Sequence, residues 1–217
     1  MRVALVAGES SGDLLGAGLI REIRKSIPGA TFEGVAGPTM VACGCVVLED
    51  ADTLAVMGLV EPLTRIPKLR RLRQSLVERW TDDPPDVFVG IDAPDFNLGL
   101  AKRLRRAGVK TIQYVCPSVW AWRQGRVKKL SVAADRVLCL LPFEQKFLDE
   151  HDVACDFVGH PMADRTPVNP DADIARQQSG AVGSPIVAIL PGSRMSCLLY
   201  TSPSPRDYAA SRMPSSA

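Results

Sequence analysis

The chain of 217 residues has few histidines, no cysteine spacing suited to chemistry and no long apolar run, and each shortage removes a class of explanation. Its six cysteines (Cys43, Cys45, Cys116, Cys139, Cys155 and Cys197) are scattered. The two nearest, Cys43 and Cys45, have neither the CxxC spacing of a redox pair nor a matching second pair for zinc, so they read as reduced thiols in a core. The two histidines, His151 and His160, join no set of Cys, Asp or Glu at ligand spacing, and no metal is expected. His160, in GHPMAD after a strand-like run from Asp156 to Val158, reads as a structural residue. Neither GxGxxG nor GxxxxGK[ST] occurs, so the chain carries no dinucleotide fingerprint and no phosphate loop. No stretch approaches the roughly 18 apolar residues that would span a bilayer. The apolar opening, Met1 to Ala7, is interrupted by Gly8, Glu9 and Asp13 before it reaches signal-peptide length, which points to a cytoplasmic protein.

With 46% hydrophobic and 23% charged residues, the composition suits one large folded domain or two small ones. The net charge of +2 hides an asymmetry, with −3 over residues 1–60, +8 over 61–130 and −3 over the rest. A basic centre between acidic flanks suggests an anionic partner: phosphate, nucleic acid or a lipid surface.

Short apolar runs recur at Val3–Val6, Thr31–Val35, Val87–Ile91, Thr111–Val115, Arg136–Leu140 and Ile186–Leu190. Helical patterns lie between several of them, at 14–23, 63–80, 98–107, 126–134 and 143–150. This alternation predicts an α/β fold, a Rossmann-like parallel sheet with flanking helices. Residues 165–184 are polar and rich in proline and glycine, a surface connection with room for one short helix. From Met195 the pattern collapses: residues 195–217 hold six serines and three prolines and read as a foreign or disordered tail.

Candidate chemistry sits where strands end, because ligands of open parallel sheets lie outside the carboxyl ends of the strands. Glu9-Ser10-Ser11-Gly12-Asp13 follows the first strand, with glycine for close backbone approach and a helix start that favours an anion. The alternative is a capped helix, Ser10 or Ser11 supplying the cap. Val87–Ile91 runs into Asp92, Pro94, Asp95 and Asn97. A carboxylate there can take a proton from a hydroxyl; equally, Asp92 can cap a helix while Asp95 faces water. Ser118, Trp120, Trp122 and Arg123 close the next strand and can meet a sugar face or acyl chain, or form the core of a loop. Leu63, Ile66, Leu69, Leu72 and Leu76 alternate with Arg65, Lys68, Arg70, Arg71 and Arg73. That basic amphipathic stretch, kinked or restarted at Pro67, suits either a headgroup layer or the surface of a sheet. Nucleic acid is the weaker partner, since a phosphate-binding face gains little from an apolar stripe.

In order along the chain, AGESSGDLLGAGLI (7–20), GVAGPTM (34–40), LAVMGLVE (54–61), DVFVGIDAPDFN (86–97), PSVWAWR (117–123), LPFE (141–144), GHPMAD (159–164) and LPGSR (190–194) closely resemble bacterial lipid-A-disaccharide synthase, glycosyltransferase family 19. The resemblance covers residues 1–194, about the first half of such an enzyme. It implies the N-terminal domain of an inverting GT-B glycosyltransferase, joining UDP-2,3-diacylglucosamine to 2,3-diacylglucosamine 1-phosphate (lipid X) with release of UDP. No cofactor or metal is implied. The expected organisation is an acceptor-side domain at 1–164, a connection at 165–184 and the first strand of a truncated donor-side domain at 185–194.

The resemblance assigns the general base to Asp92 and a supporting role to Glu9. Substrate contacts are expected from Ser10, Ser11, Gly12, Asp95, Asn97, Ser118, Trp120 and Arg123, with Asp95 also shaping the turn beside Pro94 and Asn97. Nucleotide contacts are expected from Ser193 and Arg194. Because both substrates are acylated, it also favours contact of Leu63, Ile66, Leu69, Arg70 and Arg73 with the anionic inner-membrane surface. A peripheral protein on the inner face of that membrane, a homodimer when full-length and inactive as this fragment, is the resulting expectation. Two rivals remain: a non-catalytic membrane-docking α/β domain, and another UDP-sugar enzyme of GT-B fold such as an epimerase.

Overall fold

The computed structural model describes residues 1–54, 61–121, 124–180, 183 and 185–189, which fall into two units, Met1–Arg165 and Thr166–Ala217. In the first, strands β1 (Arg2–Ala7), β2 (Thr31–Ala36), β3 (Cys45–Asp50), β4 (Val87–Ile91), β5 (Lys110–Tyr114), β6 (Arg136–Cys139) and β7 (Cys155–Phe157) form one sheet. Their order is β3-β2-β1-β4-β5-β6-β7, with every pair parallel. The order runs outward in both directions from β1 and β4, so the topological switch point lies between them.

Side chains alternate across the sheet. Val3, Leu5 and Ala7 point to one face, where α1 (Ser10–Ser26) and α2 (Pro38–Ala42) cover them through Ala17, Ile20 and Met40. Ala4 and Val6 point to the other, under α3 (Glu61–Asp82) and α4 (Pro94–Arg106), where Leu76, Trp80, Phe88 and Leu100 pack. A third cluster, with Val119, Leu130, Val137 and Leu148, ties α5 (Val127–Ala133) and α6 (Pro142–Asp149) to β6. Trp80 is fully buried, and its indole N–H donates to Glu33 Oε1 at 2.8 Å. Arg79 Nη2 meets Glu33 Oε2 at 2.7 Å, and this contact above all, helped by Trp80, holds the Glu33 carboxyl below its usual range against the opposing effect of burial.

One strand was not expected: β3 is an edge strand with Val46 and Val47 exposed, so it lacks a clean apolar alternation, whereas the strand-like run at 156–158 appears as the three-residue β7. α3 begins six residues before Pro67 and runs through it as one helix, so of the kink or restart expected there, the restart does not occur. After the short α7 (Pro161–Arg165), the second unit contains α8 (Ala172–Ser179), capped by Asp171 Oδ1, which accepts from Asp173 N at 2.9 Å and Ile174 N at 3.1 Å. Residues 186–189 form no strand. Their apolar side chains at Ile186, Val187 and Ile189 are exposed. The tail at 195–217 lies outside the described residues.

Candidate active site

The turns after β1 and β4 meet at the switch point. Ala7 pairs with Ile91 at the ends of the two strands, so Glu9 and Asp92 emerge side by side at one edge of the sheet. A Cβ on Gly8 would lie 2.5 Å from Ala93 Cβ, so only glycine lets the two turns approach this closely.

Asp92 has φ +50° and Ala93 φ +40°, two successive left-handed residues without a glycine. Such residues cost about 1 kcal/mol or more each and persist only where the surroundings over-determine them. Here they do. Asp92 N–H donates to Tyr114 O at 2.9 Å. Its carbonyl accepts from Asn97 Nδ2 at 2.8 Å and Gln113 Nε2 at 3.2 Å. Asp92 itself remains partly exposed just past the carboxyl end of β4. A carboxylate there is an acceptor that can receive a proton from a hydroxyl.

The other carboxylate of the first turn behaves differently. Asp13 is 3% exposed, and its oxygens accept from Gly37 N at 3.0 Å, Thr39 N at 2.8 Å and Met40 N at 3.0 Å. It caps α2, binding the backbone N–H groups that a helix start leaves unsatisfied. Glu9, not either serine, is the N-cap residue of α1, with extended φ −156°, and it makes no side-chain cap. Ser10 and Ser11 are exposed in the first turn of that helix.

Several expected contacts move. Gly12 is buried, packed 3.6 Å (from its ideal Cβ position) against Ile91 O, and lies below the crevice. Asn97 is 0% exposed, so it holds the turn from beneath and offers nothing to a substrate. Asp95 does not shape that turn: its side chain is 86% exposed on the first turn of α4 and meets Arg126 Nη2 at 3.5 Å. Ser118 is exposed in the loop after β5. Trp120 is 37% exposed, with its ring edge-on to Phe143 at 4.8 Å, and so is not a core residue. Arg123, Ser193 and Arg194 lie outside the described residues.

The basic helix is also corrected in part. Leu69 and Leu72 pack on the core with Leu76 and Trp80, because positions 69, 72, 76 and 80 share one helical face. Arg73 lies on that face too: its guanidinium stands 4.9 Å from the Phe96 ring centre and donates to Asp95 O at 3.0 Å. Burial, then the like charges of Arg103 and Arg70, lowers its pKa. Leu69 and Arg73 therefore face the protein. Ile66 is half-buried and Arg70 exposed, while the side chain of Leu63 lies outside the described set.

Phe143 and Gln113 were not anticipated. LPFE places Phe143 at the start of α6, and the alternation of Thr111 and Gln113 along β5, both buried, is the signal that their polar groups need partners. Between α4 and α5 lies a cavity of about 370 Å³, with Leu98, Val119 and Leu130 in its wall and Lys102, Arg126 and Lys128 around it. Among the described residues no cluster of His, Cys, Asp and Glu could hold a metal, and no helix is long and apolar enough to cross a membrane. Cys45, Cys116, Cys139 and Cys155 are buried free thiols, and burial pushes Cys45 and Cys155 up to about 12, so neither is a thiolate nucleophile.

The sequence profile described as Lipid-A-disaccharide synthetase matches residues 3–211. The chain belongs to the lipid-A-disaccharide synthase family. The lipid-A-disaccharide synthase of Alkalilimnicola ehrlichii is 58% identical over 198 residues, which is 90% of this chain and 52% of that protein. That of Pseudoalteromonas translucida is 54% identical over 195 residues, 89% of this chain and 51% of that protein. The chain thus spans about half the length of these synthases. Among solved structures, the lipopolysaccharide outer core galactosyltransferase WaaB in its apo form aligns with 74% of this chain and 46% of its own, at TM-score 0.48 and 12% identity.

Proposed function

We propose that the first unit is the acceptor-side domain of an inverting GT-B glycosyltransferase, which joins UDP-2,3-diacylglucosamine to 2,3-diacylglucosamine 1-phosphate. The observation that carries this reading is Asp92, held in a strained turn at the switch point of a family member's sheet. Asp92 takes the proton from the acceptor's 6-hydroxyl as that oxygen attacks C1 of the donor sugar. The C1–O bond to UDP breaks, UDP leaves with the electron pair, and the new linkage is β-1,6. Glu9, from the neighbouring turn, orients the acceptor. Ser193 and Arg194 meet the UDP phosphates from the donor side.

The cavity between α4 and α5, apolar in its wall and cationic around it, suits a sugar that is both acylated and phosphorylated. Ser118, Trp120 and Phe143 stand at the same end of the sheet and can cover a sugar face. For docking on anionic membrane, Ile66 and Arg70 remain available on α3; a homodimer is part of the same reading for the full-length protein.

The test is Asp92→Asn in the full-length enzyme, assayed for disaccharide formation, with sedimentation on anionic vesicles measured in parallel. Asparagine tolerates the left-handed backbone, so the fold survives. Turnover falling on the order of a thousandfold with vesicle binding retained supports the base. Unchanged turnover sinks it, and a full-length protein that binds vesicles without any activity is the docking module instead. Acylated and unacylated donors compared side by side separate the synthase from another UDP-sugar enzyme. An Arg70→Glu variant that still sediments fully removes α3 from the membrane contact.

A further inference from the structure

Beneath Asp92 lie two fully buried side-chain amides that no substrate can reach, Asn97 at 0% and Gln113 at 1% exposure. They come from different elements, α4 and β5, and both converge on the Asp92 carbonyl. Asn97 Nδ2 also lies 3.3 Å from Ile91 O and 3.2 Å from Val6 O, so one amide joins the ends of β1 and β4. Gln113 Nε2 also lies 3.4 Å from both Tyr114 O and Val115 O. Val115, at φ +78°, is the third left-handed residue at this edge, and a β-branched one.

The orientation of Asn97 follows from chemistry: its surroundings are three carbonyl oxygens, which only the NH2 end can face. Its Oδ1 is buried without a hydrogen-bond partner among the described residues. A buried orphan acceptor is destabilising, and it persists here alongside the contacts of the other end. Room for the pair is made by Gly90, whose Cβ would lie 2.8 Å from Asn97 Cβ and 3.1 Å from Gln113 Oε1.

We propose that Asn97 and Gln113 are positioning residues for the proposed reaction: together they pull the Asp92 carbonyl inward, lock the left-handed pair Asp92–Ala93, and thereby aim the carboxylate into the crevice. The inference rests on Asp92 being the base. The amides touch neither substrate nor reacting atoms. They act by fixing the turn, and a misplacement on the order of 1 Å at a reacting group can cost a hundredfold in rate.

Gln113→Met, close in volume and without a donor, is the decisive variant in the full-length enzyme, with folding checked by thermal unfolding. The expected result is a fall in kcat of about tenfold to a hundredfold, with KM for both substrates within about twofold, at a temperature where the variant is fully folded. A kcat within about twofold of the parent, or a change confined to KM, overturns the proposal. If Gln113→Met does not fold, Gln113→Glu replaces it, since the introduced carboxyl can donate to the Asp92 carbonyl only when protonated. The ratio of variant to parent kcat must then fall as pH rises; a ratio flat with pH overturns the clamp. Asp92→Asn is assayed alongside. If it keeps its turnover, the base reading fails and takes the clamp with it. If it is inactive while Gln113→Met is fully active, the clamp alone fails.

Discussion

The turns after β1 and β4 each offer an aspartate within a few residues of the same sheet edge, yet their surroundings treat the two in opposite ways. Around Asp13 the backbone is ordinary helix, and the carboxylate accepts from Gly37 N and from two N–H groups in the first turn of α2. Around Asp92 the backbone is strained, and the two buried amides donate to its carbonyl, while the residue itself stays partly exposed. Where donors go to the carboxylate, the residue is architecture. Where they go to the main chain behind it, it is the turn that is held, and the proposed reading makes that the means of positioning the side chain.

The sharpest way to break that contrast is to exchange the expected outcomes. Asp92→Asn is expected to lower turnover of the full-length enzyme on the order of a thousandfold while the unfolding temperature moves by only a few degrees. Asp13→Ala should do the reverse, losing about 3 kcal/mol in urea unfolding while turnover per folded molecule stays near the parent's. If both variants lose stability alike, the contrast is false. Gly90→Ala tests the clamp from below: its Cβ must displace Asn97, which predicts about 1–3 kcal/mol of destabilisation together with a fall in kcat.

The smallest expected effect is at Glu33, far from the crevice. Its carboxyl is held below its unfolded value of 4.5, first by Arg79. A depressed folded pKa means that this stabilisation is present above about pH 4.5 and is lost as pH falls through the folded value. The gap in unfolding temperature between the parent and Glu33→Gln should therefore close on acidification below that point. A gap that widens there contradicts the assignment.

Much of this was legible in the residues. Val87–Ile91 announced a buried strand by five consecutive strand-compatible positions, and the residue directly after it by its charge. The helix from 63 to 80 was legible by period, but its direction was not: Leu69 and Arg73 sit on a stripe that reads equally well toward lipid or toward a sheet, and only Phe96 and Trp80 beneath it decide. Asn97 was legible as a polar residue near a site and misassigned to the substrate, because sequence spacing does not tell which side of a turn an amide occupies. Gln113 was missed because β5, Lys-Thr-Ile-Gln-Tyr, is too mixed for its sequence to tell that Thr111 and Gln113 lie buried on one face. The run at Ile186 shows the converse, a strand-like apolar pattern that is not a strand at residues 186–189.

The sheet's two borders carry a consequence for handling the protein. An open sheet ends in unpaired backbone groups, a template on which further copies can stack. At β3, Val46 and Val47 are exposed on such a border, but the register shifts between Gly34 and Val35 and the strand closes on Glu49 and Asp50. At β7 only three residues are offered, ending in an exposed Phe157. Growth by adding strands is thus blunted on one side by irregularity and charge, and on the other by brevity. Concentrated solutions should be protected from fibre-like association by geometry more than by repulsion, so raising the salt should not by itself set it off.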